Sequence, residues 1–437
     1  MELFKNMNEK FWRNLLLTAA IVSTVWVGAN RHHSMDYWYI FHWDSEGYYM
    51  YLPAIFLNGG FENMYSKTEH DGEKVFKNYP GTNKLYTKYT CGVAIMFSPF
   101  FITANIIASI FHLDKGMGYA PIFGFFLILG VSCYLALGLY FVFKTLRFYV
   151  GIFPALLCCL IIWLGTNLFH YSALNPGFTH TFTFALAAVV VYFTHKYYQD
   201  PNYKTLLVII AAIALLVLMR PTDILISFYF FLFGINSLKE LRQRILFWLK
   251  KPIELLLFPF SIFIAYIPQF IYWEYISGSF IIYSYENEGF SLWKNPMLPE
   301  IWYHPQNGLF LFAPLLLLSI AGIIMTWNKK EYSAKTIALI FILNSYICAS
   351  WWYWNFGAAY GYRPFIDFLP ILVIPMAFAV QYLLKTKLPI RIFSFVAILF
   401  LLFLSVRLNM IYAWPWEGPN WGWDDVLEKH LQALFLK

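Results

Sequence analysis

Charged residues are scarce in this 437-residue chain, since Asp, Glu, Lys and Arg together make up only 13% of it. A soluble domain has roughly 25% charged residues, so a soluble globule is excluded. The chain also lacks a Gly-rich phosphate loop and a dinucleotide-binding fingerprint, and none of its five cysteines forms a CxxC pair. We therefore expect no nucleotide-binding domain, no disulfide framework and no zinc site.

Apolar residues make up 60% of the chain. They occur in separate runs of roughly 16 to 26 residues, each long enough as a helix to cross a hydrocarbon core about 30 Å thick. The net charge of +7 lies in short clusters between these runs, which fits cytoplasmic loops and argues against nucleic acid as a partner. The sequence predicts an all-α, multi-pass protein of the cytoplasmic (inner) cell membrane.

The basic clusters set the predicted topology, since short cytoplasmic loops are rich in Lys and Arg. About eleven spans, a cytoplasmic N-terminus and an outside C-terminus place every short basic loop inside. The run at 91–111 is also long enough to span, but counting it would move Lys144 and Arg147 outside. We predict that it lies in the outer interface. The predicted spans are 14–29, 118–143, 149–166, 178–195, 204–219, 224–237, 254–273, 309–326, 334–350, 366–384 and 390–407.

This topology divides the chain into four predicted parts. Residues 1–29 form a cytoplasmic segment and the first span, and 30–117 form a first extracytoplasmic loop with juxtamembrane helices near 45–57 and 90–111. The transmembrane bundle is 118–407. The extracytoplasmic tail is 408–437, in which 424–435 has the pattern of a short amphipathic helix.

Two acids, Asp44 and Glu46, follow the first predicted span at the outer membrane surface. One interpretation is that Asp44 simply caps the helix predicted to start at Ser45. The other is a general base at the level of the lipid headgroups, with a pKa raised by partial burial. His42, just before this segment, and Tyr48, on its predicted apolar face, are candidate substrate contacts.

Arg220 and Arg363 lie in very short outside loops, where the positive-inside bias disfavours them. They either pair with Asp223 and Asp367, which are three and four residues away, or bind the phosphate of a substrate, since a guanidinium matches phosphate oxygens in a bidentate way. The sequence leaves both interpretations open.

Other polar and aromatic residues of the predicted outside face complete the candidate site. Aromatic rings settle at membrane edges in any case, but they also stack on sugars. We predict no metal or cofactor, because Asp44 and Glu46 alone supply too few ligands for a divalent ion. The further candidate substrate contacts are Asn175, His180, Gln306, Tyr360 and Tyr362.

The string Asp44-Ser45-Glu46-Gly47-Tyr48-Tyr49, followed by Lys88-Tyr89-Thr90-Cys91-Gly92, resembles the first outer loop of the GT-C superfamily. The overall layout of one helix, a long outer loop and about ten further spans is similar too. These membrane glycosyltransferases use polyprenyl-phosphate sugars and include protein O-mannosyltransferases and the lipid A aminoarabinose transferase. In them an acid of this loop is the catalytic base or binds the acceptor, and Asp44 matches it. Many members have two adjacent acids, whereas here Ser45 separates Asp44 from Glu46. The string His304-Pro305-Gln306-Asn307-Gly308 also resembles the loop-to-helix entry that contacts donor phosphate or sugar in some members, which implies a phosphate contact for His304.

The resemblance implies transfer of a sugar, with inversion, from a polyprenyl-phosphate donor to an extracytoplasmic protein, lipid or glycan. One alternative is a transporter or flippase of lipid-linked sugars. Against it, the charges lie at outer helix ends, and no internal repeat relates two halves of the chain. Another alternative is a transferase like the O-antigen ligases and polymerases, which moves a whole glycan.

Overall fold

The computed structural model describes residues 8–33, 37, 40–62, 64, 69–70, 73–74, 77–357, 359–411 and 421–435. Residues 412–420 of the predicted tail and several residues of the predicted first outer loop lie outside these ranges. The chain is an all-α polytopic membrane protein. Its described α-helices are α1 (Glu9–His33), α2 (Asp44–Tyr49), α3 (Tyr51–Phe56), α4 (Gly92–Ile110), α5 (Pro121–Leu146), α6 (Ile152–Leu164), α7 (His180–Gln199), α8 (Tyr203–Met219), α9 (Ile226–Phe231), α10 (Leu238–Leu249), α11 (Pro252–Ser277), α12 (Leu298–Tyr303), α13 (Leu309–Phe312), α14 (Leu317–Met325), α15 (Ala334–Ala349), α16 (Leu369–Lys385), α17 (Leu388–Ile411) and α18 (Trp423–Phe435).

Shorter elements join these helices, most of them in or next to the predicted outer loops, whereas Lys330–Tyr332 lies in a predicted inside loop and Pro314–Leu316 within a predicted span. Strand β1 (Glu69–His70) pairs with β2 (Glu73–Lys74), and β3 (Lys77–Asn78) pairs with β4 (Leu85–Tyr86), both antiparallel. A π-helical turn covers His170–Leu174. The 3-10 turns are Gly116–Gly118, Pro221–Leu225, Pro314–Leu316, Lys330–Tyr332 and Arg363–Phe368.

Each of the eleven predicted spans contains a helix, although the number that cross the membrane stays a prediction. Seven helical segments in the described residues are long and apolar enough to cross by length and composition. Six of them coincide with predicted spans, and the seventh is α4. The seven are Glu9–His33, Gly92–Ile110, Gly116–Leu146, Pro252–Ser277, Lys330–Ala349, Arg363–Lys385 and Leu388–Ile411.

Helix α4 contacts the N-terminal half of α5. The Tyr134 hydroxyl donates a hydrogen bond to the Met96 carbonyl (2.7 Å), and the rings of Phe101 and Phe123 have centroids 4.9 Å apart. Length and composition also allow α4 to span. Its placement in the outer interface therefore remains a prediction.

The centre of the bundle is α5 and α7, which pack against each other, while α1 covers α5 and α8 covers α7. Phe123 and Leu135 of α5 and Phe182 of α7 are fully buried there. By contrast, α11 and α17 expose large apolar side chains such as Phe260 and Phe393. Such faces are stable when lipid tails cover them, as expected of helices at the outside of a transmembrane bundle.

The predicted helix over 224–237 is wrong beyond Phe231, because α9 ends there. The following carbonyls find side-chain donors instead. The Arg244 guanidinium donates to the Phe231 and Phe233 carbonyls (3.1 and 2.9 Å), and the Thr336 hydroxyl donates to the Leu232 carbonyl (2.9 Å). These bonds satisfy backbone groups that would otherwise be unpaired in an apolar bundle.

Candidate functional site

Asp44 is the first residue of α2, and its side chain does not cap that helix. One carboxylate oxygen accepts a hydrogen bond from the Tyr89 hydroxyl, and the other lies 3.1 Å from Nη2 of Arg363. The interpretation of Asp44 as an N-cap is therefore wrong. The N-cap residue is Trp43, whose φ of 49° is unusual for a bulky side chain. Such backbone strain costs on the order of 1–3 kcal/mol and is found most often at functional sites.

Two glycines let neighbouring segments approach α2 closely. A Cβ on Gly47 would lie 2.3 Å from the ring of Tyr89, and a Cβ on Gly177 would lie 1.5 Å from Oγ of Ser45. No side chain fits at either position without movement of its neighbours. The segment that carries Tyr89 and the loop before α7 are thereby both held against the helix that presents Asp44.

The electrostatics of Asp44 differ from the sequence expectation. Burial by itself raises the pKa of Asp44, but the Arg363 guanidinium, the Tyr89 hydroxyl and the Lys88 ammonium outweigh it, and the pKa lies below its ordinary value. The prediction of a raised pKa is therefore wrong for this state. Asp44 is ionised at neutral pH and acts as a hydrogen-bond acceptor.

A second acid and arginine pair lies deeper, around Asp367. One carboxylate oxygen accepts a hydrogen bond from the Thr183 hydroxyl (2.5 Å) and lies 3.1 Å from Nδ1 of His180. The other lies 3.3 Å from Nε of Arg220, whose Nη1 is 3.5 Å from Nε2 of His180. His180 is thus engaged with protein groups on both ring nitrogens.

The ion pairs differ from the two suggested by sequence proximity. Arg363 pairs with Asp44 instead of Asp367, and Arg220 pairs with Asp367, although Asp223 is nearer in sequence. The 3-10 turn Arg363–Phe368 contributes Arg363 to one pair and Asp367 to the other. The guanidinium of Arg363 also lies over the Phe178 ring, 5.1 Å from its centroid. The two pairs are therefore linked through one short element.

The other predicted site residues near Asp44 are less accessible to a substrate. Glu46 is fully buried, so its carboxylate does not face a substrate in this structure. Tyr48 is also buried, with its ring 4.4 Å from that of Tyr89. The ring of His42 lies edge-on to that of Trp43. The predicted single helix over 45–57 is divided at Met50 into α2 and α3.

Asn175, Tyr360 and Tyr362 support the site from within. The Asn175 amide nitrogen lies 3.2 Å from Nε2 of His170, whose ring is stacked on Tyr360. The Tyr362 hydroxyl donates to the Trp354 carbonyl (2.8 Å). Both tyrosines are buried, so they do not line an open sugar site.

His304 and Gln306 form a separate cluster with the turn at 354–357. Nδ1 of His304 accepts from the Gln306 backbone N–H (3.2 Å), and the Gln306 side-chain oxygen accepts from Asn355 (3.2 Å). Partial burial lowers the pKa of His304, so at neutral pH it is an uncharged Nε2–H donor. Within the described residues, neither side chain makes a hydrogen bond or ion pair with Asp44, Arg220 or Arg363.

Sequence reasoning did not assign roles to Tyr89 or Tyr285, whose rings lie together beside Asp44 with centroids 6.4 Å apart. The sequence offered a hint for Tyr89, since it lies in the string Lys88–Gly92 that resembles the family. It offered none for Tyr285, because no motif distinguishes it from the other tyrosines among the 32 in the chain. Among the residues whose placement is known, no group of three or more His, Cys, Asp and Glu side chains could hold a metal ion.

No protein-family model matches the chain, and no curated protein matches it. Among the solved structures that are similar to it are two of an archaeal oligosaccharyltransferase. One is the archaeal oligosaccharyltransferase AglB from Archaeoglobus fulgidus in complex with an inhibitory peptide and a dolichol-phosphate, with a TM-score of 0.53 and 15% identity over 96% of this chain and 57% of that one. The other is the apo form of the Archaeoglobus fulgidus oligosaccharyltransferase, with a TM-score of 0.51 and 14% identity over 97% and 56%.

The chain therefore spans a little over half the length of these structures, and at such low identity the likeness concerns the fold. AglB is a glycosyltransferase with the GT-C fold. This chain has that fold, as the resemblance of its outer loop implies.

Proposed function

We propose that the chain is a glycosyltransferase that moves a sugar from a polyprenyl-phosphate-linked donor to an acceptor on the extracytoplasmic side of the cytoplasmic membrane. The observation that carries the proposal is the pair of Asp44 and Arg363, 3.1 Å apart at the first turn of α2. An acid for the acceptor next to a cation for the leaving phosphate is the combination that this transfer requires. The GT-C fold of the chain supports the same reaction class.

In the proposed reaction the acceptor hydroxyl or amide donates a hydrogen bond to the Asp44 carboxylate. Its heteroatom forms a bond to the anomeric carbon while its proton passes to Asp44. The bond between the anomeric carbon and the phosphate oxygen breaks, and the electron pair leaves with the polyprenyl phosphate. Attack from the face opposite the phosphate inverts the anomeric configuration, and Arg363 pairs with the new negative charge.

Donor binding also changes Asp44 itself in this proposal. A guanidinium has five N–H donors, but the phosphate competes with Asp44 for the charge of Arg363. As Arg363 turns toward the phosphate, Asp44 loses the main cation that lowers its pKa and becomes a stronger base. Arg220 stays anchored by Asp367 and offers the phosphate a second, less mobile contact.

A donor that carries a whole oligosaccharide is the second candidate. The similarity to AglB favours it, because that protein is named as an oligosaccharyltransferase. The same site chemistry serves both donors, since each leaves as a polyprenyl phosphate or diphosphate. The test must therefore include both kinds.

Donor turnover in proteoliposomes tests the proposal. Purified wild type and Asp44→Asn are given radiolabelled polyprenyl-phosphate monosaccharides and, separately, a polyprenyl-diphosphate oligosaccharide, together with a mixed acceptor extract. We expect wild type to release the lipid phosphate from one donor kind and Asp44→Asn to bind that donor without cleaving it. Labelled lipid that crosses the bilayer uncleaved in both proteins would instead identify a flippase.

A further inference from the structure

A second cleft lies beside the candidate site, between the β3 and β4 hairpin and the loop that follows α11. Its volume is about 350 Å³, which is within the usual range for small-ligand sites. The residues that line it are Tyr79, Pro80, Tyr86, Ile282, Tyr283 and Glu286.

Bonds between distant parts of the chain hold the two walls of the cleft together. The Tyr86 hydroxyl donates to a Glu286 carboxylate oxygen (2.6 Å) and lies 3.2 Å from the Ser284 carbonyl. The Lys77 ammonium lies 3.2 Å from the other Glu286 oxygen, and Lys84 donates to the Tyr275 carbonyl (2.7 Å). The cleft is therefore formed before any ligand arrives.

The lining has a distinct chemistry. Among the described residues that line it there is no Lys or Arg, and the Lys77 ammonium beside Glu286 is already paired with that carboxylate. Its tyrosine rings offer flat apolar faces with hydroxyls at their edges, and Glu286 offers a carboxylate. The hydrogen bond from Tyr86 and the charge of Lys77 keep the pKa of Glu286 below its ordinary value, so that carboxylate is ionised and only accepts hydrogen bonds.

Ring faces beside a carboxylate suit a carbohydrate. The C–H faces of a sugar stack on aromatic rings, and its hydroxyls donate to a carboxylate. The backbone of Glu286 supports a ligand role as well, since its φ of 52° is left-handed without being at a glycine. Strained positions of this kind recur where side chains clamp ligands.

The cleft is close to Asp44. Tyr86 precedes Tyr89 by three residues, so at most about 10 Å of chain separates the lining from the residue that binds Asp44. On the opposite wall, Glu286 follows Tyr285, whose ring lies 6.4 Å from that of Tyr89. The two walls of the cleft are thus continuous in sequence with the two tyrosines that lie beside Asp44.

We propose that this cleft binds an acceptor glycan and presents its terminal hydroxyl to Asp44. The inference rests on the proposed transferase function and deepens it by naming the acceptor class as carbohydrate. Tyr283 supplies a stacking face, and Glu286 accepts hydrogen bonds from the sugar hydroxyls.

A glycan and peptide array tests the proposal with the full-length protein in lipid nanodiscs. The probes are arrayed oligosaccharides of two to six units and, on the same slide, unglycosylated peptides. We expect wild type to bind a subset of the oligosaccharides and both Tyr283→Ala and Glu286→Gln to weaken that binding at least tenfold. Phe280→Ala is the matched control, because Phe280 and Tyr283 are both 65% exposed and Phe280 does not line the cleft.

Several results would overturn the proposal. They are binding of no oligosaccharide by wild type, binding of peptides alone, and oligosaccharide binding that both cleft variants leave unchanged. Thermal unfolding of each variant shows whether lost binding reflects lost structure, and Glu286→Gln keeps the shape of the side chain for that purpose. If the array result holds while wild type consumes no donor, the transferase proposal fails and the glycan site stands.

Discussion

The two acid and arginine pairs of the site have the same chemistry but different surroundings. Asp367 has a fully buried side chain that contacts Thr183, His180 and Arg220. The Asp44 side chain is 25% exposed, whereas the two arginines differ little, with Arg363 16% and Arg220 18% exposed. A buried acid with several partners holds structure in place, whereas a partly exposed acid can exchange a partner for a substrate. We therefore propose Asp44 as the reactive acid of the site and Asp367 as the acid that holds the structure beneath it.

The first test of this difference is to neutralise the partly exposed acid, Asp44. Asp44→Asn removes the proton acceptor but keeps the size of the side chain, so we expect sugar transfer to fall by about 10²–10⁴-fold. Thermal unfolding should change less than on loss of Asp367, because Asn keeps an oxygen for the Tyr89 hydroxyl and the Asp44 side chain is partly exposed. Initial rates in proteoliposomes measure the loss of transfer, and thermal unfolding in detergent measures the change in stability. Loss of less than tenfold in rate would remove Asp44 from the base role.

The second is to remove the buried acid. Asp367→Ala leaves Arg220 and His180 without their shared partner, and breaking a buried pair in this way costs about 3–5 kcal/mol. We expect a large drop in the unfolding temperature in detergent, in contrast to Asp44→Asn. Asp424→Ala, which removes an exposed acid in α18, is the control. Equal stability of the two alanine variants would show that Asp367 is not a structural centre.

The third concerns the cation that pairs with Asp44. Arg363→Lys keeps the charge but loses the planar fork that can bind Asp44 and phosphate together. Hydrogen bonds to charged groups contribute about 1.5–3 kcal/mol, so donor affinity should weaken roughly 10- to 100-fold. Equilibrium binding of labelled donor measures it, with the exposed Arg242→Lys of α10 as the control. An unchanged affinity would argue against Arg363 as a phosphate ligand.

Much of the fold could be predicted from the sequence, because apolar runs and basic loops report the membrane directly. The exceptions are places where tertiary contacts override length. The sixth predicted span ends early as a helix because Arg244, from the following helix, satisfies its last carbonyls. The predicted helix 309–326 is divided after Phe312, and Pro314 begins a 3-10 turn there.

The candidate site was less predictable than the fold. The rarity of charge singled out Asp44, Arg220 and Arg363, but their partners could not be found by proximity in sequence. Asp367 meets His180 from 187 residues away along the chain. Only the packing of the 3-10 turn Arg363–Phe368 against α2 and α7 decides which acid meets which arginine.

The smallest effect is expected from removing the hydrogen bond that the Tyr89 hydroxyl donates to Asp44. Tyr89→Phe removes that bond to a charged group, which is worth roughly 1.5–3 kcal/mol, and should slow transfer about tenfold, because Arg363 remains beside Asp44. The bond favours the ionised carboxylate, so its loss raises the pKa of Asp44 and moves the acid limb of the pH–rate profile to higher pH. Tyr303→Phe, at an exposed tyrosine of α12, should leave the limb in place. If the acid limb moves to lower pH or does not move, the Tyr89 hydroxyl does not lower the pKa of Asp44. Arg363 would then be the main group that lowers this pKa.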